Sequence, residues 1–247
     1  MRHILTLSFL LFALNISAQK PKELWVLTYV KALQPLYTMI EVDGKFELDE
    51  EDPQDSSFLY NSGLMTIEFE KKNRAISHSW DGQETWQFVL EQNNIQLFGE
   101  RDTLYGEVKE KQLILSSTLD DRPTFYYFEK LNEKKLSTLV LADQNLRVSA
   151  QEHFFNDNVF FFTSDSVTNI TNIRDSESKL FFTYGLGKLN AIEYDFHPKD
   201  TEDFKQELGT IYFFKTGKET IKGFFYPIYD GLREPERQNI TLRPLKN

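Results

Sequence analysis

Met65-Thr-Ile-Glu-Phe-Glu-Lys-Lys-Asn-Arg-Ala-Ile-Ser-His-Ser-Trp-Asp-Gly-Gln-Glu-Thr-Trp-Gln-Phe-Val-Leu90 is the stretch that decides the fold. Met65, Ile67 and Phe69 alternate with Thr66, Glu68 and Glu70, the period of a strand with one apolar face. Lys71 to Asn73 reads as a polar turn, and the next strand is expected to carry Ile76, His78 and Trp80 on one face. Asp81-Gly82 is a hairpin signal, after which Trp86, Phe88 and Leu90 resume the alternation. Two hairpins in sequence predict an antiparallel meander.

Downstream, Asn93-Asn94 turns the chain. Ile95 with Leu97, Leu104 with Gly106 and Val108, Leu113 with Leu115, and Tyr126 with Phe128 then continue the series. Upstream, Lys31 to Asp55 contains Pro35, Gly44, Pro53 and the acidic run Leu48 to Asp52, which reads as a solvated loop. Glu129 to Leu136, with Asn132-Glu133-Lys134-Lys135, breaks the apolar pattern and marks a domain boundary.

Beyond that boundary Phe comes in pairs and triplets: Phe154-Phe155, Phe160 to Phe162, Phe181-Phe182, Phe213-Phe214 and Phe224-Phe225. Adjacent strand residues point to opposite faces, so each doublet predicts a strand covered on both sides, inside a thick core between sheets or between domains. Thr163 to Lys179 reads as a long polar hairpin. Asp200 to Leu208, with an N-capping Asp and Gly209 just past its end, predicts one short helix. Thr103-Leu104-Tyr105-Gly106 recurs in outline as Thr220-Ile221-Lys222-Gly223, which suggests a diverged repeat.

Met1 to Ala18 has a basic start, an apolar run from Ile4 to Leu14 and small residues before Gln19. It reads as a secretory signal peptide cleaved near Ala18 and resembles those of Bacteroidota envelope proteins. The apolar run is shorter than the roughly 20 residues of a membrane span, so no transmembrane anchor is expected. The 247 residues hold 38 acids, 28 bases and no cysteine. Without cysteine there is no disulfide, no thiolate metal site, no cysteine nucleophile and no lipoprotein acylation site. A net charge of -10 without a basic block gives no footprint for nucleic acid.

An opening strand with a tryptophan (Leu24-Trp25-Val26-Leu27), a long loop, and consecutive hairpins ending in the aromatic strand Phe125 to Lys130 resemble the small lipocalin-like domains of exported bacterial proteins, over residues 22–132. Lipocalins place Gly two residues before the opening Trp, whereas Lys22 and Glu23 precede Leu24-Trp25 here. The resemblance implies an up-and-down antiparallel barrel able to hold a small apolar ligand. Inward residues would then line it, with Trp25, Phe69, His78, Trp80, Trp86 and Phe88 as ligand-binding candidates and His78 as the polar group. The alternative is a barrel whose interior side chains fill it.

The chain is therefore expected to be mainly β: a signal peptide (1–18), a lipocalin-like barrel (22–132) and a β-rich barrel or sandwich with one short helix (133–247). It shows no Gly-rich phosphate loop, nucleophile elbow or helical His pair. Glu193, Asp195 and His197 share one strand face. They are the weak metal candidates, but residues along one straight strand converge poorly on an ion, so no metal, cofactor or catalytic residue is assigned. The sequence points to a noncatalytic exported binding or interaction protein of the bacterial envelope, in the periplasm or outside the cell. Its partner would be a small apolar ligand, a glycan or an envelope protein. A secreted hydrolase using carboxylates of the second module and a structural envelope component are the alternatives.

Overall fold

A computed structural model describes residues 23–35, 37–42, 45–50, 56–100, 102–119, 122–131, 136, 139, 144–150, 158–162, 167–172, 178–196, 207–215, 221–229 and 231–245. They form nineteen strands and no helix. Strand β1 (Glu23–Pro35) is followed by β2 (Tyr37–Val42), β3 (Lys45–Glu50) and β4 (Ser56–Asn61). The meander then runs β5 (Met65–Phe69), β6 (Arg74–Ser79), β7 (Gly82–Glu91), β8 (Asn94–Phe98), β9 (Thr103–Val108), β10 (Gln112–Leu119) and β11 (Arg122–Leu131). The remainder is β12 (Gln144–Ala150), β13 (Asn158–Phe162), β14 (Val167–Asn172), β15 (Ser178–Leu186), β16 (Leu189–Phe196), β17 (Glu207–Lys215), β18 (Ile221–Phe225) and β19 (Gln238–Pro244).

Strands β5 to β11 are consecutive antiparallel neighbours in a nine-stranded sheet ordered β11-β10-β9-β8-β7-β6-β5-β1-β4, and β11 also pairs with β1. The sheet thus curls back onto the strand it starts from. Strands β12 to β19 close into an eight-stranded antiparallel barrel. The expectation of a barrel or sandwich for the second half therefore resolves to a barrel.

β1 organises the molecule. Its first residues pair with β5 and its last with β4 along the same edge, while β11 runs along the other. The register with β11 slips between Leu27 and Tyr29, and the Thr28 hydroxyl donates to the Tyr127 carbonyl at 2.7 Å. A bulge of this kind turns later side chains to the other face. Trp25 and Leu27 point into the curled sheet, Leu24 and Val26 point out of it, and beyond the bulge Tyr29 joins the outward side.

Three apolar clusters follow. One fills the curled sheet: Trp25, Ile67, Trp86, Phe88, Leu97, Leu113, Phe128 and their neighbours. A second fills the barrel around Phe160, Phe162, Tyr194, Phe213 and Phe225, where Phe160, Phe162 and Phe213 meet edge to face at 6.0 to 6.3 Å. The third joins the outer faces of the two sheets, with Leu24, Val26 and Leu64 from one and Leu186, Leu189, Tyr212, Phe214 and Phe224 from the other. The doublets split as their alternation requires. Phe213 and Phe225 lie inside the barrel, and Phe214 and Phe224 in the join.

Several sequence expectations are corrected. Much of the predicted loop 31–55 is strand: β1 runs to Pro35, and β2 and β3 form a separate two-stranded sheet. Of the predicted helix, Glu207 and Leu208 open strand β17, paired with Phe196 and Asp195, and residues 200–206 lie outside the described ones. Capping and periodicity are local signals, and at these two residues a sheet ladder overrides them. Leu136 and Leu139, placed in or just past the polar break, pack against the join and inside the barrel core respectively. Thr103 to Gly106 lie in β9 of the curled sheet and Ile221 to Gly223 in β18 of the barrel.

Candidate functional site

The stretch Leu180-Phe-Phe-Thr-Tyr184 lies in β15 and Glu193-Tyr-Asp195 in β16, and both alternate. Phe181, Thr183, Ile192 and Tyr194 are buried, whereas Leu180, Phe182, Glu193 and Asp195 are exposed. Leu180 and Phe182 keep 66% and 62% of their surface accessible, which makes them outliers for large apolar residues on a folded strand. With Tyr184 and Leu208, with Asn61 at the end of β4 and with Ser62 just after it, they line an open groove of about 520 Å³. One side is apolar; the other carries two carboxylates.

The groove abuts the join between sheet and barrel. Ser62 donates through Oγ to Glu193 Oε1 at 3.0 Å. One residue on, the Gly63 carbonyl accepts from Thr210 Oγ1 at 3.1 Å and from Tyr212 Oη at 3.0 Å. Gly63 has no room for a side chain, since a Cβ there would lie 2.7 Å from Leu27 Cδ2. Burial pushes the Tyr212 hydroxyl well above the usual phenol range, a Met65 backbone hydrogen bond pulls it partly back, and the Glu193 carboxylate raises it further. Lys188 Nζ donates to Glu68 Oε1 at 3.0 Å across the same join.

On the other side of β1, residues 226–237 hold the barrel to the curled sheet. Tyr29 stacks on Tyr127 at 4.6 Å and donates to Glu234 Oε1 at 2.6 Å. Tyr226 donates to Glu129 Oε2 at 2.7 Å, Arg237 also binds Glu129, and its guanidinium lies 4.3 Å from the Phe224 ring centroid. The Tyr60 amide donates to the Gly231 carbonyl at 2.7 Å. Burial, reinforced by hydrogen bonds to Glu234 and Glu129, pushes the Tyr29 and Tyr226 hydroxyls upward as well.

The ligand candidates separate into two groups. Trp25, Phe69, Trp86 and Phe88 face the interior of the curled sheet. There Phe69 and Phe88 meet edge to face at 5.0 Å, and Trp86 Nε1 donates to Ser77 Oγ at 2.9 Å. His78 and Trp80 do not join them. Ile67 pairs with Ser77 and Phe69 with Ala75, so the small residues of β6 point inward, while His78, paired with Thr66, faces out toward Gly187. The indoles and Phe rings leave space beneath β6 for Ala and Ser only. Trp80 lies in the hairpin turn and is exposed.

Glu193 and Asp195 share an exposed strand face, and His153 and His197 lie outside the described residues. Among the described residues no three His, Asp or Glu side chains gather to hold a metal ion, and no helix is long and apolar enough to cross a membrane. Sequence reasoning missed Leu180, Phe182, Tyr184, Asn61 and Ser62 as a group. The Phe181-Phe182 doublet held part of the signal, since one of its rings must face outward. No protein-family model matches the chain, and no curated protein matches it in sequence.

Proposed function

We propose that the protein is an exported, noncatalytic binding or interaction protein of the bacterial cell envelope, and that its ligand sits in the outer groove beside β15 and β16. The groove carries this reading: Leu180 and Phe182 remain largely exposed beside Glu193 and Asp195 in a recess of about 520 Å³, the size and mixed character of a ligand site. The interiors support it from the other side. Trp25, Trp86, Phe88 and Phe128 pack within the curled sheet, and Phe160, Phe162, Phe213 and Phe225 within the barrel, as in small barrels whose side chains fill them.

Export rests on the signal-peptide pattern of Met1 to Ala18. The lipocalin-like assignment of residues 22–132 is part of the same proposal and draws support from the ring β1, β5 to β11. Native mass spectrometry of protein purified from its own host tests the binding site. Wild-type protein should carry a ligand that the Leu180→Ser/Phe182→Ser variant has lost and that Trp86→Phe retains. A bare mass for the wild type, or a ligand lost only with Trp86→Phe, would overturn the proposal.

A further inference from the structure

The groove floor sets a ring and a carboxylate side by side on one sheet face. Thr183 of β15 pairs with Ile192 of β16, which places Phe182 next to Glu193 on the exposed side, with the two strands about 5 Å apart. Phe182 keeps 62% of its surface accessible, so a flat ligand can rest on its ring. The Ser62 hydroxyl takes Oε1 of Glu193 and fixes the carboxylate, which leaves Oε2 to accept from a ligand. Asp195 already has an interaction partner, so Glu193 is the acceptor that the site offers. Asn61 and Tyr184 add an amide and a phenol along the same groove, and among the described residues lining it none is basic.

A sugar ring matches this layout. Its axial C–H bonds form an apolar face, which the negative face of an aromatic ring attracts. Its hydroxyls run round the edge, where a carboxylate on the next strand meets them in charge-assisted hydrogen bonds. A purely apolar ligand would cover Glu193 and leave its charge without a partner. An anionic one would meet a carboxylate and no cation.

Resting on the groove as the binding site, we infer that its occupant is a neutral oligosaccharide, with one sugar ring stacked on Phe182 and its hydroxyl edge donating to Glu193. Leu180 and Tyr184, two positions away on either side of Phe182, extend the platform to the neighbouring sugars. The ring supplies contact area, and the carboxylate sets the orientation.

The test uses the full mature chain and a panel of neutral trisaccharides built from glucose, mannose and N-acetylglucosamine, titrated calorimetrically and by amide chemical shifts. At least one should shift resonances of β15 and β16, with an affinity that added salt leaves unchanged. Phe182→Tyr keeps a ring face and should bind as the wild type does. Phe182→Leu is apolar but has no ring, and should weaken binding about three- to tenfold. Glu193→Gln, which still accepts from Ser62, should weaken it about fivefold as a charged acceptor becomes a neutral one. Phe182→Leu or Glu193→Gln binding as tightly as the wild type, or binding that falls away with salt, overturns the inference. Octanol and octylamine serve as the separating arm. If either shifts the β15 and β16 resonances and no trisaccharide does, the groove stands as a binding site and the saccharide falls. If no probe shifts those resonances, both fall.

Discussion

At the scale of single residues, the tightest positions are glycines against backbone. A Cβ on Gly106 would drive into the carbonyl oxygen of Ile114 on the neighbouring strand. Gly106→Ala should therefore destabilise the protein by about 1–3 kcal/mol, lowering its thermal midpoint by several degrees in calorimetry. Tyr212 gives a test with a pH signature. Its hydroxyl is pushed above the ordinary phenol value of 10.0, so the unfolded chain releases this proton first as pH rises. Its contribution is fully present below pH 10 and declines above it, by up to about 1.4 kcal/mol per pH unit. Tyr212→Phe should cost about 1–3 kcal/mol at neutral pH, because it unpairs the Met65 amide, and should flatten the alkaline loss. Denaturant titrations at pH 8 and pH 11 would show both. None of this was legible in the sequence, because the crowding at Gly106 depends on how closely the backbones of β9 and β10 approach, and the burial of Tyr212 is set by the segment around Gly63, far away in the chain.

Among the elements, strand existence was more legible than strand facing. The alternation of Met65, Ile67 and Phe69 and of Trp86 and Phe88 picked their inner faces, since on each strand one side is clearly larger and more apolar. β6 misleads for the opposite reason. Its inward residues are Ala75 and Ser77 and its outward ones Ile76 and His78, so size favours the wrong side. Facing there is set by the rings across the interior, which a local pattern does not contain. The segment following β11 is likewise more than a linker. Leu139 is buried in the barrel core, and its carbonyl accepts from Asn190 Nδ2 at 3.1 Å. Leu139→Ala should cost about 2–5 kcal/mol, as for other buried leucines, with the loss read by urea denaturation. A change near zero would mean that the connection contributes nothing to the barrel.

For the whole molecule, the Phe doublets carried the most information. They announced strands covered on both sides: Phe214 and Phe224 supply that second cover where barrel meets sheet, whereas on β15 Phe181 is buried and Phe182 stays exposed, against the expectation. The groove was only half legible, because Ser62 reaches Glu193 from 131 residues away. The joining cluster, the Lys188–Glu68 pair and the double acceptor at Gly63 should make sheet and barrel unfold as one unit. Calorimetry should give a single transition for the wild type. Leu64→Asp, which buries a charge in the join, should split it in two, and two transitions in the wild type would contradict this coupling. The double-sided burial of β1 also has a kinetic consequence. Leu24 pairs with Leu131, so β1, the first of the described strands, waits for the last strand of its own sheet, and its outer face waits longer still for β16 to β18. Such sequence separation makes folding slow and leaves an apolar strand uncovered meanwhile. The nascent chain should therefore depend on a holding chaperone more than its final packing would suggest.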